Sequence, residues 1–291
     1  MLSYKVSLNG RIVSPGQAKI SLYSPAVLYG LGVYESIEVI EGIPFCLDEH
    51  LKRLFDSAKM IDLELPCTIE EATRWAYELL QQVSGDCLLR VIALDVSEEE
   101  EDKLVAMLPQ LLPRYPAQYY QRGTQLVSYE GARHMPACKS LNTLVNLLAR
   151  RRAARAGVHE AVLCSNGKLT EGSRSNIFAV YKGELLTPPT NQVLPGITRD
   201  IVMRLAMEAG YPVRERNLWL AEVERYDEFF ITSTSMHVMP VVAIDGIQIG
   251  NGQVGRITSD LMQRFEAYHR DCLETLRQRA SVTTVTVLPG E

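Results

Sequence analysis

Ala137-Cys138-Lys139-Ser140-Leu141-Asn142 and Leu169-Thr170-Glu171-Gly172-Ser173-Arg174-Ser175-Asn176 are the two stretches that decide the fold. The first places a lysine directly before a segment with helical periodicity, and the second places a carboxylate at the end of an apolar strand. Gly172 has no side chain, so a ligand could approach the backbone closely there. A lysine or a glutamate alone is typical of a solvated surface position, and their significance therefore depends on the motifs around them.

The composition is that of an ordinary globular protein. The chain has 291 residues, 46% of them hydrophobic and 22% charged, which is enough for two modest domains. A net charge of −5 provides no basic field for nucleic acid, and we interpret Arg150-Arg151-Arg152 with Arg155 as a solvated helix face. No apolar run reaches the roughly 18 residues that a membrane span needs, so we predict no membrane partner.

The cysteines and the N-terminus favour a cytoplasmic protein. Residues 1–5 lack an apolar signal-peptide core, and the six cysteines are widely spread without a Cys-x-x-Cys pair. We therefore expect free thiols in a reducing compartment, and we predict no metal site. Cys138 is interpreted as a small packing residue, because no partner base is visible beside it.

Helix and strand patterns mix without a regular alternation, which favours an α+β fold over a doubly wound sheet. Two prolines and three tyrosines in the segment 111–120 indicate a linker between a domain over residues 1–118 and a domain over residues 119–291. Strands are predicted at 5–8, 11–13, 32–40, 45–47, 87–95, 125–129, 160–164, 176–181, 184–187, 228–232 and 241–249, and helices at 48–60, 69–83, 141–156, 198–210, 221–225 and 255–277. Residues 98–102 read as an acidic turn, and the last ten or so residues as a frayed tail.

Three segments are candidates for binding a phosphate group. Gly196-Ile197-Thr198-Arg199-Asp200 stands where a loop becomes a helix, so free N–H groups and the Thr198 hydroxyl could face an anion there. The alternative for Thr198 is a simple N-cap. Thr232-Ser233-Thr234-Ser235 fits anion binding or an ordinary polar turn. Arg53, beside an apolar helix stripe, could hold a phosphate in a bidentate contact or be a surface arginine.

Lys139 and Glu171 suit the chemistry of a pyridine aldehyde cofactor. The Glu171 carboxylate could accept a hydrogen bond from a protonated ring nitrogen and keep the ring cationic. Lys139 could hold the aldehyde as an imine, be displaced by a substrate amine, and then move the α-proton.

Five ordered motifs over residues 4–270 together resemble the class IV, fold-type IV family of pyridoxal-phosphate enzymes. This family includes branched-chain aminotransferases, D-amino-acid aminotransferases, R-selective amine transaminases and aminodeoxychorismate lyase. The motifs that carry the resemblance are Tyr29-Gly30-Leu31-Gly32-Val33-Tyr34-Glu35, His50-x-x-Arg53-Leu54-x-x-Ser57-Ala58, Lys139-Ser140-Leu141-Asn142 with Thr170-Glu171-Gly172-x-x-x-Asn176, Leu194-Pro195-Gly196-Ile197-Thr198-Arg199, and Thr232-Ser233-Thr234 before Pro240-Val241.

The resemblance implies a pyridoxal 5′-phosphate cofactor, with Lys139 as the Schiff-base lysine and Glu171 as the partner of the ring nitrogen. It implies a subunit with a smaller N-terminal α/β sandwich and a larger C-terminal α/β pseudo-barrel, in a homodimer with sites near the interface. It also implies further contacts: Arg53, Ile197, Thr198, Ser233 and Thr234 to the phosphate, Leu194 to the ring, Tyr34 to the substrate, and the backbone at Ser235 and Met236 to the pocket wall or to a substrate carboxylate.

The substrate is less clearly marked. The Arg-x-His carboxylate trap of the D-amino-acid enzymes is absent, because the corresponding stretch reads Ala93-Leu94-Asp95-Val96-Ser97-Glu98. Leu144 stands where many branched-chain enzymes carry a tyrosine, and the Lys-Ser-Leu-Asn string is closer to the D-amino-acid and lyase branches. Arg90 matches a substrate-facing arginine of the branched-chain branch, or is a strand arginine paired to a structural acid. Arg133 and His134 are either pocket or surface residues.

The leading hypothesis is an aminotransferase that moves an amino group between an amino acid and a 2-oxo acid by a ping-pong mechanism. The alternative is an aminodeoxychorismate lyase that releases 4-aminobenzoate and pyruvate with the same lysine. A non-catalytic binding protein is disfavoured, because Lys139, Glu171 and Arg53 are all retained.

Overall fold

A six-stranded antiparallel sheet forms the N-terminal part of the computed structural model, which describes residues 5–97 and 102–285. The strand order is β2-β1-β6-β5-β3-β4, so the first hairpin lies at one edge. The predicted strands at 32–40 and 87–95 are confirmed residue for residue. The strands are β1 Val6–Leu8, β2 Arg11–Val13, β3 Gly32–Ile40, β4 Ile43–Pro44, β5 Cys87–Asp95 and β6 Lys103–Leu111.

Two amphipathic helices, α2 Leu47–Lys59 and α3 Ile69–Leu80, pack on this sheet, and a short helix, α1 Pro25–Leu28, precedes β3. Helix α2 buries residues at helical spacing, among them Leu51, Leu54 and Ala58, because one face of the helix must cover the apolar sheet. Helix α3 begins at a capping box in which Thr68 accepts a hydrogen bond from the Glu71 N–H.

Two predictions in this part of the chain are wrong. The return strand predicted at 45–47 lies instead at Ile43–Pro44, and Cys46, with a φ of 54°, turns the chain directly into α2. No strand is predicted at β6, which contains Pro109, a residue that disfavours pairing in a sheet interior. The structure tolerates Pro109 because β1 pairs with β6 only at Ala106 and Met107. Most of the predicted acidic turn at 98–102 lies outside the described residues.

Six strands of the second sheet close into a barrel. The ring runs β10-β14-β15-β7-β8-β9 and closes where Asn176 of β10 pairs with Glu171 of β9. This confirms the predicted pseudo-barrel. The strands of the ring are β7 Thr124–Glu130, β8 Glu160–Ser165, β9 Lys168–Gly172, β10 Asn176–Tyr181, β14 Glu228–Ser233 and β15 His237–Ile244, and β11 Glu184–Thr187, β12 Val213–Glu215, β13 Leu218–Trp219 and β16 Ile247–Gln248 extend it.

The remaining helices are α4 Ala117–Arg122, α5 Leu144–Ala156, α6 Ile197–Glu208 and α7 Arg256–Val285. Helix α5 starts three residues later than predicted, because the Leu141 N–H is bonded to the Gly32 carbonyl of β3. Gly196, not Thr198, is the N-cap of α6. The predicted helix at 221–225 is a 3-10 turn, Leu220–Arg225. Helix α7 continues five residues beyond 280, where a frayed tail was predicted, and residues 286–291 lie outside the described part.

Within the described residues, no helix combines the length and the apolar character that a membrane crossing requires.

Candidate active site

A cleft of about 320 Å³ gathers nearly every predicted site residue. One wall comes from β3 and β5 of the first sheet and from helix α2, which packs on that sheet. The other wall comes from the mouth of the barrel. The predicted residues that line it are Tyr34, Arg53, Arg90, Arg133, Lys139, Glu171, Leu194, Ile197, Thr198, Ser233, Thr234 and Ser235.

The backbone of Lys139 lies beside β3 and is hydrogen-bonded to it. The Tyr34 N–H donates to the Lys139 carbonyl at 3.0 Å, and the Lys139 N–H donates to Ser57 Oγ at 3.1 Å. Lys139 Nζ lies 4.9 Å from the centre of the Tyr34 ring. Burial lowers the pKa of Lys139, Tyr34 and Glu35 oppose this, and the Arg53 and Arg133 charges lower the pKa further. The amine is therefore closer to its neutral, nucleophilic form than an exposed lysine.

Glu171 lies at the closure of the barrel and points into the cleft. Its Oε2 accepts the Leu194 N–H at 3.2 Å, and its Oε1 lies 3.4 Å from Arg133 Nη1. Burial raises the pKa of Glu171, and the Arg133 charge offsets this only in part. A cationic N–H donor bound in the cleft would therefore form a favourable hydrogen bond with the Glu171 carboxylate and would favour its ionised form.

Arg133 also braces the loop that carries Lys139. It donates to the carbonyls of Pro136, at 2.9 Å, and of Cys138. Its side chain is 7% exposed, so the structure places it in the pocket and not on the surface. His134 is exposed and does not line the cleft. Cys138 is fully buried against Ser57, as the packing interpretation predicts.

Arg53 belongs to a buried ionic cluster beneath the cleft. Its Nε and Nη2 donate to the two Glu35 oxygens at 2.7 and 2.9 Å, and its Nη1 donates to the Pro195 carbonyl at 2.7 Å. His50 Nδ1 lies 2.7 Å from Glu35 Oε2. Burial would raise the pKa of Glu35, but Arg53 and His50 hold it well below its ordinary value. The Arg53 side chain is only 11% exposed, which excludes the interpretation as a surface arginine. Its guanidinium group faces Glu35.

The start of α6 and the end of β14 form a donor-rich corner. The first N–H groups of a helix have no partner within it, and Ile197 and Thr198 provide them here. A Cβ on Gly196 would lie 2.0 Å from Asn176 Oδ1, so only glycine allows this approach. Among the described residues, the buried Thr232 hydroxyl has no hydrogen-bond partner. These donors suit a phosphate group.

Arg90 lies across the Tyr34 ring. Its guanidinium carbon is 4.0 Å from the ring centre, and its Nη1 is 3.5 Å from Ser36 Oγ. In the described chain, no carboxylate lies within 4.0 Å of it, which disfavours the alternative of a structural ion pair. Because the Arg90 guanidinium lies in the cleft without such a partner, it is suited to bind the carboxylate of a substrate.

Met236 is the predicted site residue that does not line the cleft. Its side chain is fully buried in the barrel core, its N–H donates to Ser233 Oγ at 3.3 Å, and its carbonyl accepts the Tyr120 hydroxyl.

Several cleft residues were not predicted as site residues. Asn146 and Arg150 of α5 lie four residues apart and so share one helix face, a spacing that could have indicated them. Arg150 was interpreted as part of a solvated face. Arg174 stacks near Tyr115, with 5.7 Å between its guanidinium carbon and the ring centre. Tyr115 comes from the segment interpreted as a linker, which gave no signal for a site.

The profile of the amino-transferase class IV family matches residues 32–244 of this chain. A putative branched-chain-amino-acid aminotransferase of Methanocaldococcus jannaschii is 38% identical over 90% of this chain and 95% of that protein. A D-alanine aminotransferase of Staphylococcus aureus is 32% identical over 91% and 97%. The branched-chain amino acid aminotransferase of Escherichia coli superposes with a TM-score of 0.85 and 29% identity, over 92% of this chain and 95% of that chain.

The cleft has a lysine and a carboxylate at the mouth of a barrel. Together with the similar solved structures, it defines a transaminase fold. The chain belongs to the class IV aminotransferases. Enzymes of this class use pyridoxal 5′-phosphate, and a solved branched-chain relative contains its amino form, pyridoxamine 5′-phosphate. The partnerless Thr232 hydroxyl, the start of α6, the buried Glu171 and the amine of Lys139 fit this cofactor.

Proposed function

We propose that this aminotransferase acts on branched-chain amino acids and their 2-oxo acids. The observation that carries the proposal is Arg90, a cation beside Tyr34 without a protein carboxylate in the described chain, in a cleft that also holds Lys139. The missing Arg-x-His trap and the relative at 38% identity support it.

Each residue has a distinct part in this proposal. Lys139 binds the cofactor aldehyde and moves the α-proton, aided by the lowered pKa of its amine. Glu171 accepts a hydrogen bond from the ring nitrogen. Pyridoxal phosphate supplies an electron sink for the negative charge that forms at the substrate α-carbon. Ile197, Thr198, Ser233 and Thr234 bind the phosphate, Leu194 packs on the ring, and Arg53 supports this end through the Pro195 carbonyl.

Arg90 and Tyr34 orient the substrate. The Arg90 guanidinium binds the substrate carboxylate. The guanidinium carbon and Lys139 Nζ lie 4.0 and 4.9 Å from the centre of the Tyr34 ring. Leu88 of β5 and Leu194 provide apolar surface for a branched side chain. Ser235 closes the wall, with its hydroxyl 3.1 Å from that of Tyr115.

A half-reaction screen tests the proposal. Single amino acids are mixed with the cofactor-loaded enzyme, and conversion of the cofactor to its amino form is followed by absorbance. We expect L-leucine, L-isoleucine and L-valine to convert it fastest. Fast conversion by D-alanine with slow conversion by all three would contradict the branched-chain assignment. A D-alanine-like activity is the second candidate, supported by the Lys139-Ser140-Leu141-Asn142 string and by the Staphylococcus aureus relative.

The lyase alternative has no support in the comparisons, because the relatives described above are transaminases. Pyruvate release from aminodeoxychorismate without an amino acceptor would revive it.

Replacing Arg90 by alanine tests the carboxylate contact. We expect Arg90→Ala to raise the KM for both the amino acid and the oxo acid by about 10- to 100-fold, the value of a hydrogen bond to a charged group. The cofactor absorbance should not change. Arg151→Ala, an exposed arginine on α5, is the matched control and should leave KM unaltered. A drop in stability with an unchanged KM would instead show a structural arginine.

A homodimer is part of the proposal, and an exposed apolar stretch that precedes β3 supports it. Large apolar side chains over residues 20–29 are between 42% and 80% exposed, which is unusual for a monomer surface. Sedimentation of the purified enzyme should give twice the chain mass. These side chains are Ile20, Leu22, Tyr23, Val27, Leu28 and Tyr29.

We further propose the division into domains over residues 1–118 and 119–291, and a cytoplasmic location. The first sheet uses strands up to Leu111 and the second uses strands from Thr124 onward, which supports the boundary. Six cysteines as free thiols support the location.

A further inference from the structure

A cluster of one carboxylate and two imidazoles lies apart from the cleft residues that hold the cofactor. Glu38 Oε2 lies 2.7 Å from His269 Nε2 and 3.0 Å from His237 Nε2. The three potential ligand atoms all lie within 4.8 Å of one another. We propose that Glu38, His237 and His269 bind a divalent first-row transition-metal ion such as Zn²⁺.

The spacing of the three ligand atoms needs little change to accept an ion. In a tetrahedral site with bonds of about 2.0–2.1 Å, neighbouring ligand atoms are about 3.3 Å apart. The observed 2.7 and 3.0 Å would therefore widen by about 0.3 to 0.6 Å, and the two Nε2 atoms lie within 4.8 Å of each other. Both imidazoles already direct Nε2 at the same carboxylate oxygen, so small side-chain rotations and a shift of each ring proton to Nδ1 would free the three ligand atoms for an ion.

The ligands are held by three separate rigid elements. Glu38 lies in β3, His237 begins β15 with a φ of 55°, and His269 lies in α7. Phe265 packs against both rings, with centroid distances of 5.1 Å to His237 and 6.3 Å to His269. Phe45 adds a contact 4.6 Å from His269. These aromatic walls restrict the ligands to the orientations that converge.

The charge and exposure of the cluster also suit an ion with an open position. Glu38 offers a carboxylate oxygen and the two histidines offer imidazole nitrogens, a donor set that first-row transition-metal ions accept. The side chain of Glu38 is 6% exposed, that of His269 is 14% exposed, and that of His237 is 31% exposed. Solvent can therefore supply a fourth ligand from the His237 side. Imidazole nitrogen favours Zn²⁺ and similar ions over Mg²⁺ or Ca²⁺.

An ion here would tie the two sheets together behind the cleft. Ser36 and Ser235 line the cleft, and each stands two residues from a ligand, Glu38 and His237 respectively. The bound ion would thus fix β3 relative to β15 and α7. An ion that binds only the folded protein stabilises it. At a free concentration of about 100 times its dissociation constant, the Tm should rise by about 4 °C for a chain of this length.

Calorimetric titration of the cofactor-loaded enzyme with Zn²⁺ tests the proposal. We expect one ion per chain and the rise in Tm, and no heat or Tm change with Mg²⁺. His237→Ala and His269→Ala should each weaken Zn²⁺ binding at least tenfold. His134→Ala removes an exposed histidine elsewhere and should bind Zn²⁺ as the wild type does. If an alanine variant does not fold, His269→Gln keeps an amide donor to Glu38 and decides the question.

Two results would overturn the proposal. The first is a wild-type enzyme that takes up no Zn²⁺ at micromolar concentration. The second is equal Zn²⁺ binding by the wild type, His237→Ala and His269→Gln. A Cys272→Ser variant identifies a thiol site as the source of any such binding, because Cys272 is the partly exposed thiol on α7.

Discussion

Lys139→Ala is expected to lower the turnover of the half-reaction by at least about 10³-fold, since proton transfer by a positioned group alone contributes about 10²- to 10⁴-fold. The variant also loses the amine that we propose to bind the cofactor aldehyde, so the visible absorbance of the lysine-bound cofactor should disappear. Absorbance spectra and single-turnover rates measure the two effects separately.

Lys182→Ala is a matched control for this change. Lys182 is exposed, and its Nζ lies 5.2 Å from the centre of the Tyr181 ring, close to the 4.9 Å between Lys139 Nζ and Tyr34. Its removal should leave spectrum and rate unchanged, because it lies outside the cleft. Comparable turnover by Lys139→Ala and wild type would show that another residue carries the proton.

Glu35→Ala is expected to reduce the free energy of unfolding by about 3–5 kcal/mol, because removing one partner of a buried ion pair leaves an uncompensated charge. The variant leaves Arg53 without the two oxygens that accept from its Nε and Nη2, and it leaves His50 without its partner. Urea denaturation of the variant and the wild type at the same pH gives the difference.

Glu41→Ala provides the comparison for Glu35→Ala. Glu41 is also a glutamate paired with an arginine, but its side chain is 68% exposed and that of Arg277 is 50% exposed. Solvent screens such a pair, so its loss should cost less than about 1 kcal/mol. Similar losses in both variants would mean that the Glu35 cluster contributes little to stability.

The residues that we propose to hold the cofactor could be found in the sequence because their signals are local. Lys139, Glu171 and the Gly196-Ile197-Thr198 turn each lie in a short motif whose backbone geometry follows from neighbouring residues. Strands β3 and β5 were predictable for the same reason, since each is rich in apolar and β-branched residues.

Other features depend on contacts between distant segments. Glu38 is 199 residues from His237 and 231 from His269, so no spacing in the sequence could indicate that they meet. The backbone of Met236, after four hydroxyl residues, is predicted at the pocket wall, and the turn at Ser233 directs the Met236 side chain into the barrel core. The late start of α5 follows from a hydrogen bond to Gly32 in another sheet.

The closure of the barrel at Asn176 and Glu171 links catalysis to the cooperativity of the fold. β9 and β10 meet in register through this pair, so opening the ring there is expected to have a lower free energy than opening its longer ladders. A ligand that contacts Glu171 only in the closed state raises the free energy of opening. The increase grows with the logarithm of the ligand concentration divided by its dissociation constant. Cofactor binding should therefore slow amide hydrogen exchange along both strands, because occupancy of the site stabilises the closed barrel.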